Sequence, residues 1–132
     1  MAVTNIMDTS GGQGSVVLYT NGTAGSPIFN SDFLDVYLCG FDAKGSLYVD
    51  GTNSFGAVEV GEITKLTTGG TTLTTLTYNN AISFPGGVEV TTKGEIAIGD
   101  QLGAAIYSYN PPKGGSLALR SRRPRSLVRA MS

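Results

Sequence analysis

Carboxylate and amide side chains recur at the ends of apolar stretches in this 132-residue chain. Asn5 and Asp100 each close a short run of apolar residues, and Asp50 stands near the end of a third run. Oxygen ligands of these types bind Ca²⁺ and other hard divalent cations. Glu89 lies between two valines, so in a strand it points away from both. Asn5, Asp50, Glu89 and Asp100 are therefore the candidate metal ligands.

The same side chains have a simpler interpretation. An Asp or Asn that follows a strand commonly accepts backbone N–H bonds and closes the turn, and this is the favoured role for Asn5 and Asp100. For Glu89, a solvated glutamate without a ligand explains the position equally well. The residues alone leave both interpretations open.

Catalysis that depends on histidine is excluded within one chain, because the sequence contains no histidine. A single cysteine, Cys39, excludes an internal disulfide. It stands between Leu38 and Gly40 in an apolar stretch, where a small buried hydrophobic residue is the simplest interpretation. Calcium chemistry is not affected by the lack of histidine, since oxygen ligands suffice.

A repeat in the sequence predicts the elements that position these residues. Three apolar segments, 1–5, 47–51 and 96–100, begin 46 and 49 residues apart and can be stacked residue for residue. The second and third follow glycine-containing turns of the same design, at 42–46 and 91–95. Glycine supplies the positive φ that a tight hairpin needs. This period is typical of a four-stranded propeller blade.

Further alternating segments complete the blades and predict an all-β fold, a partial β-propeller of four-stranded antiparallel blades. The chain provides about two and a half blades, with three, four and three strands in order. The predicted strands are 1–5, 16–19, 26–29, 36–41, 47–51, 58–60, 71–78, 87–90, 96–100 and 105–109.

An incomplete propeller leaves two wide apolar sheet faces in water, because each blade buries both faces against its neighbours. Symmetric self-association is the commonest way to cover such faces. We therefore expect the ring to be completed by homo-oligomerisation, with a dimer preferred. Residues before the innermost strands, Asp35, Asn79 and Asn80, together with Glu89, are candidate ligand-binding residues at the channel, although Asn79-Asn80 is also an ordinary loop pair.

Residues 40–51 (GFDAKGSLYVDG) resemble the repeat unit of the NHL and related six-bladed propellers. Residues 84–90 (FPGGVEV) resemble the start of a following blade, and residues 95–101 (EIAIGDQ) its second strand. The resemblance covers roughly residues 1–110 and implies the architecture. The family includes ligand-binding, protein-binding and sensor modules as well as calcium-dependent lactonases and related hydrolases.

Charge divides the chain into two parts. Residues 1–112, the predicted partial propeller, contain ten acids and three lysines, a formal charge of −7. Residues 113–132 contain one lysine and five arginines, a charge of +6. This basic C-terminal tail is either an appended, non-native extension or a segment that adds an edge strand near 116–119. Its arginines also suit contact with phosphates or an acidic surface.

Three hypotheses of function follow. The first is a propeller fragment that self-assembles into a ring with a ligand- or partner-binding channel. The second is a divalent-metal-dependent hydrolase of lactones, esters or phosphotriesters, with its site built by several subunits. The third is a truncated gene product without an evolved role.

The compartment and partners are predicted from composition. There is no apolar run of about 18 residues and no secretory signal pattern, so we expect a soluble protein, cytoplasmic as expressed. The acidic body disfavours nucleic acid apart from non-specific contacts of the tail.

Overall fold

The computed structural model describes residues 1–7, 12–64, 70–76, 78–79, 82–109, 115–116 and 118–122. In these ranges all regular elements are strands, which confirms the all-β prediction. The strands are β1 (Ala2–Asn5), β2 (Ser15–Thr20), β3 (Thr23–Ala24), β4 (Asp35–Phe41), β5 (Leu47–Thr52), β6 (Val58–Ile63), β7 (Leu73–Thr75), β8 (Tyr78–Asn79), β9 (Pro85–Val90), β10 (Ile96–Asp100), β11 (Ala105–Tyr109), β12 (Gly115–Ser116) and β13 (Ala118–Arg122).

Three antiparallel sheets follow one another along the chain. The first sheet has the order β1-β2-β3, the middle sheet β4-β5-β6-β7, and the third sheet β9-β10-β11-β13. A parallel pair, β8 with β12, lies outside them. Successive strands are hydrogen-bonded neighbours in the first two sheets, as expected of propeller-like blades.

Hairpin turns of one design connect the first two strands of the middle and third sheets. In each turn, a glycine N–H donates to the carbonyl oxygen three residues earlier. The glycines predicted from sequence adopt the left-handed conformation, and a third turn of the same design lies between β5 and β6. Their φ values are 85° at Gly45, 79° at Gly56 and 79° at Gly94.

The outer part of the first sheet differs from the prediction of a strand at 26–29. Asn21 and Gly22 both have positive φ, which makes a two-residue hairpin turn and returns the chain at once as β3. Ile28 keeps one isolated antiparallel bridge to Val16. Pro27 has no N–H to donate, so the ladder does not extend through it.

The other outer strands also differ in extent from the predicted ones. In place of one strand over 71–78, the short β7 pairs with β6, and β8 pairs separately with β12. In the third sheet β13 pairs with β11 and supplies the outer strand, beginning two residues after the start of the segment expected at 116–119.

The middle sheet is covered on both faces. Its central strand β5 is buried at every position, with alternate side chains entering different cores. Leu47 and Val49 enter the first core, between the first and middle sheets, together with Phe33. Tyr48 enters the second core, between the middle and third sheets, whose members include Ile98.

The first and third sheets each have one face that lies outside both cores and carries exposed apolar side chains, which we call the open face. On the first sheet this open face carries Val3, 38 % exposed, and on the third sheet it carries Ile106, 45 % exposed. No helix in the described part of the chain is long and apolar enough to cross a membrane.

Candidate functional site

Asp50 connects the middle and third sheets. Its Oδ1 accepts the N–H of Leu38 at 2.9 Å, and its Oδ2 accepts the N–H of Gly87 in β9, also at 2.9 Å. A bulge between Val36 and Cys39 interrupts the β4–β5 ladder and leaves the Leu38 N–H available. Asp50 is completely buried. Desolvation raises the pKa of this carboxyl, and the two backbone bonds oppose that rise.

Asp100 ties together the segments around the end of β10. Its Oδ1 accepts the N–H groups of Phe84 at 3.1 Å and Gly103 at 3.0 Å, and its Oδ2 accepts that of Ser83 at 3.0 Å. Burial alone would raise the pKa of Asp100, but the backbone donors outweigh it and hold the pKa below its usual value. These are the bonds that the turn interpretation of Asp100 expects.

The corresponding polar residues of the first sheet, Thr4 and Asn5, form one contact between sheets and one within a hairpin. Asn5 donates from Nδ2 to the hydroxyl of Ser15 within the β1–β2 hairpin, at 3.3 Å. Thr4, equivalent to Asp50 in the repeat, donates its hydroxyl to the Tyr37 carbonyl oxygen in β4 at 2.6 Å. Thr4 and Asp50, which share one position of the repeat, therefore both form a hydrogen bond to the next sheet. Thr4 uses its hydroxyl and Asp50 its carboxylate.

Asp35 begins β4 and is half-buried. Its Oδ2 accepts a long bond from the Thr52 hydroxyl at 3.5 Å. Its Oδ1 is buried without a hydrogen-bond partner among the described residues. Gly51 precedes Thr52, the partner of Asp35 across the ladder, and a Cβ on Gly51 would collide with the Asp35 carbonyl oxygen and the Phe33 ring. The close packing here explains why the equivalent of Asn5 and Asp100 in the middle sheet is glycine.

Glu89 is exposed on the third sheet. Val88 is buried in the second core and Val90 packs against it, so Glu89 points to the opposite face, as the alternation predicts. Asn79 lies in β8, and Asn80 lies outside the described residues. Glu89 shares a face with Ala97, its partner across the β9–β10 ladder.

The structure does not assemble the predicted ligands into one site within the described part of a single chain. No three histidine, cysteine, aspartate or glutamate side chains there are grouped so that they could hold a metal ion. Asp50 and Asp100 both use both carboxylate oxygens for backbone N–H groups.

Cys39 is half-buried beside the first core. Burial raises the pKa of its thiol, and the negative charge of Asp50 raises it further. The thiol form is therefore favoured at neutral pH, which suits a packing role better than nucleophilic chemistry.

Sequence reasoning missed several polar and aromatic contacts. Tyr48 donates its hydroxyl to Glu62 at 3.1 Å across the β5–β6 ladder, and burial followed by the Glu62 charge raises the pKa of Tyr48. Tyr37 and Phe84 lie with ring centroids 5.4 Å apart. Strand register would have revealed the first pair, but the second joins β4 to the segment just before β9 and leaves no local signal.

No family model matches the chain, and no curated protein matches it either.

Proposed function

We propose that this chain is a non-catalytic propeller module that assembles with copies of itself into a ring-like homo-oligomer, with a dimer as the smallest closed form. The ring presents a channel or rim that binds a ligand or a protein partner.

The unequal coverage of the three sheets carries the proposal. The middle sheet buries side chains on both faces, whereas the first and third sheets each keep one face open. Val3 and Ile106 on these open faces are apolar and over a third exposed. Apolar sheet faces of this kind favour association.

The stacking of the sheets supports the propeller architecture. Each sheet packs face to face on the next, and the Thr4 and Asp50 positions each bond to the first strand of the following sheet. Equivalent positions of the sequence repeat therefore form equivalent contacts between sheets. Repetition of one packing geometry produces rings when the rotation closes.

The NHL-like resemblance and the calcium-dependent hydrolase hypothesis remain predictions. The hydrolase needs ligands from more than one subunit, with the exposed Glu89 as one contributor. It therefore depends on the same assembly, and chelation distinguishes it from the non-catalytic proposal.

Light scattering of the full chain after size exclusion, with and without EDTA, tests this function. The proposal expects a homo-oligomer whose mass EDTA does not change. Loss of the oligomer on chelation, restored by Ca²⁺, would favour the metal-dependent alternative. A mass of 13.7 kDa at every concentration would contradict self-assembly.

A further inference from the structure

The geometry points to one specific contact between copies: the open face of the third sheet packs on the open face of the first sheet of a second copy. This inference rests on the proposed self-assembly and adds which surfaces meet. The contact is head-to-tail, so it repeats from one copy to the next, and in the proposed dimer it closes a ring of six sheets through two identical interfaces.

Ile106 occupies the position that Val60 has in the middle sheet. Ile106 pairs with Gly99 across the β11–β10 ladder, and Val60 pairs with Asp50 across the β6–β5 ladder. Gly99 and Asp50 are the same position of the sequence repeat. Val60 is completely buried in the second core, against the third sheet, whereas Ile106 is 45 % exposed.

Val3 occupies the position of Ile98 by the same stacking of repeats. Its neighbour Ala2 packs on the first core, and Thr4 bonds to β4, so Val3 points away from the middle sheet. Ile98 is completely buried in the second core together with Val60. Applying the same packing once more places Ile106 of one copy against Val3 of the next.

The position of Glu89 favours the first sheet of a second copy, and not a complete four-stranded sheet, as the partner of the open face of the third sheet. Its equivalent in the middle sheet is Gly40, since these residues pair with the equivalent Ala97 and Tyr48. A Cβ on Gly40 would lie 2.5 Å from the Val88 carbonyl oxygen, because β9 lies directly against it. A sheet whose first strand lies where β9 lies against Gly40 would therefore collide with the Glu89 side chain. In the described part of the first sheet no strand pairs with the other edge of β1, which leaves room for it.

Paired charge variants of the full chain test this contact by sedimentation velocity. Val3→Lys and Ile106→Glu should each be monomeric alone at concentrations where the unmodified chain is dimeric, with dissociation constants raised at least tenfold. An equimolar mixture should form a heterodimer, because one of its interfaces is unmodified and the other brings the lysine and glutamate together. Phe55→Lys, which changes a 93 % exposed turn residue outside both faces, is the matched control and should remain dimeric.

The outcomes separate the two proposals. A monomeric unmodified chain would refute self-assembly itself. A dimeric unmodified chain whose variants stay dimeric, or do not recover in the mixture, would refute only this pairing of faces. Circular dichroism checks the fold of each variant, and Val17→Lys, on the same face as Val3, replaces Val3→Lys if that variant unfolds.

Discussion

Asp50 shows how one buried carboxylate can connect two sheets through backbone hydrogen bonds. It accepts one N–H from its own sheet and one from β9. Both donors would be left without their acceptor if the carboxylate were removed. The desolvation that raises the pKa of Asp50 is a cost that these bonds offset only in part.

Asp50→Ala should therefore lower the free energy of unfolding by about 3 kcal/mol, because two buried N–H groups lose their acceptor. Asp50→Asn keeps one acceptor oxygen and removes the desolvated charge, so its cost should be smaller. Urea unfolding followed by circular dichroism measures both. An Asp50→Ala variant within about 0.5 kcal/mol of the unmodified chain would show that the two bonds do not stabilise the fold.

Asp100 predicts a pH dependence. Its folded-state pKa lies below the usual value of 3.8, so the ionised carboxylate stabilises the fold above that value, and this contribution is lost as the pH falls through the folded-state pKa. The stability advantage of the unmodified chain over Asp100→Asn should shrink as urea unfolding is repeated from pH 6 down to pH 3.

The stability advantage of the unmodified chain over Asp50→Asn should change with pH in the opposite sense. The folded-state pKa of Asp50 is raised, so the unmodified chain loses stability relative to Asp50→Asn as the pH rises through that pKa. If both differences were independent of pH, neither carboxylate would have the protonation behaviour that its contacts imply.

Sequence alone identified Asp50 and Asp100 as special, because each is a polar residue within or directly after an apolar run. It did not identify their partners. Asp50 bonds to Gly87, which is distant in sequence, and Asp35 has a buried oxygen without a described partner. Contacts between sheets depend on how the sheets stack, which local periodicity does not encode.

At the level of elements, two turn positions with positive φ should both favour glycine over alanine. Gly56 has a φ of 79° with open space where a Cβ would stand, so Gly56→Ala should cost about 1 kcal/mol through the backbone alone. Ala104 has a φ of 48°, so Ala104→Gly should raise the stability by up to about 1 kcal/mol. Thermal unfolding of both variants checks the signs, and equal signs would contradict the turn geometry.

The hairpin turns could be predicted because their chemistry is local. In the β4–β5 turn, Asp42 Oδ1 accepts the N–H groups of Lys44 and Ser46, both at 2.8 Å, and Gly45 takes the left-handed conformation. The Asn21-Gly22 turn carries an equally local signal that places β3 earlier than expected. The strands β7, β8 and β13 were less predictable, because outer strands are short and their pairing depends on distant partners.

For the whole molecule, two valines at the same position of the repeat allow a direct comparison of a buried face with an open face. Val49 is completely buried in the first core, whereas its repeat equivalent Val3 lies on an open face. Val49→Ala should lower the free energy of unfolding by about 2 kcal/mol at any protein concentration.

Val3→Ala should cost less than about 1 kcal/mol in dilute protein and more in concentrated protein, where a second copy covers the face in the proposed assembly. Urea unfolding at two protein concentrations separates these terms. A cost of Val3→Ala that does not depend on concentration would mean that no copy covers this face.

Small-angle X-ray scattering of the unmodified chain tests most directly whether the two open faces close on a second copy. A ring of two chains predicts a scattering mass of twice 13.7 kDa and a radius of gyration of about 18 Å. A mass of one chain with a radius of about 14 Å, unchanged as the concentration rises, would contradict the account.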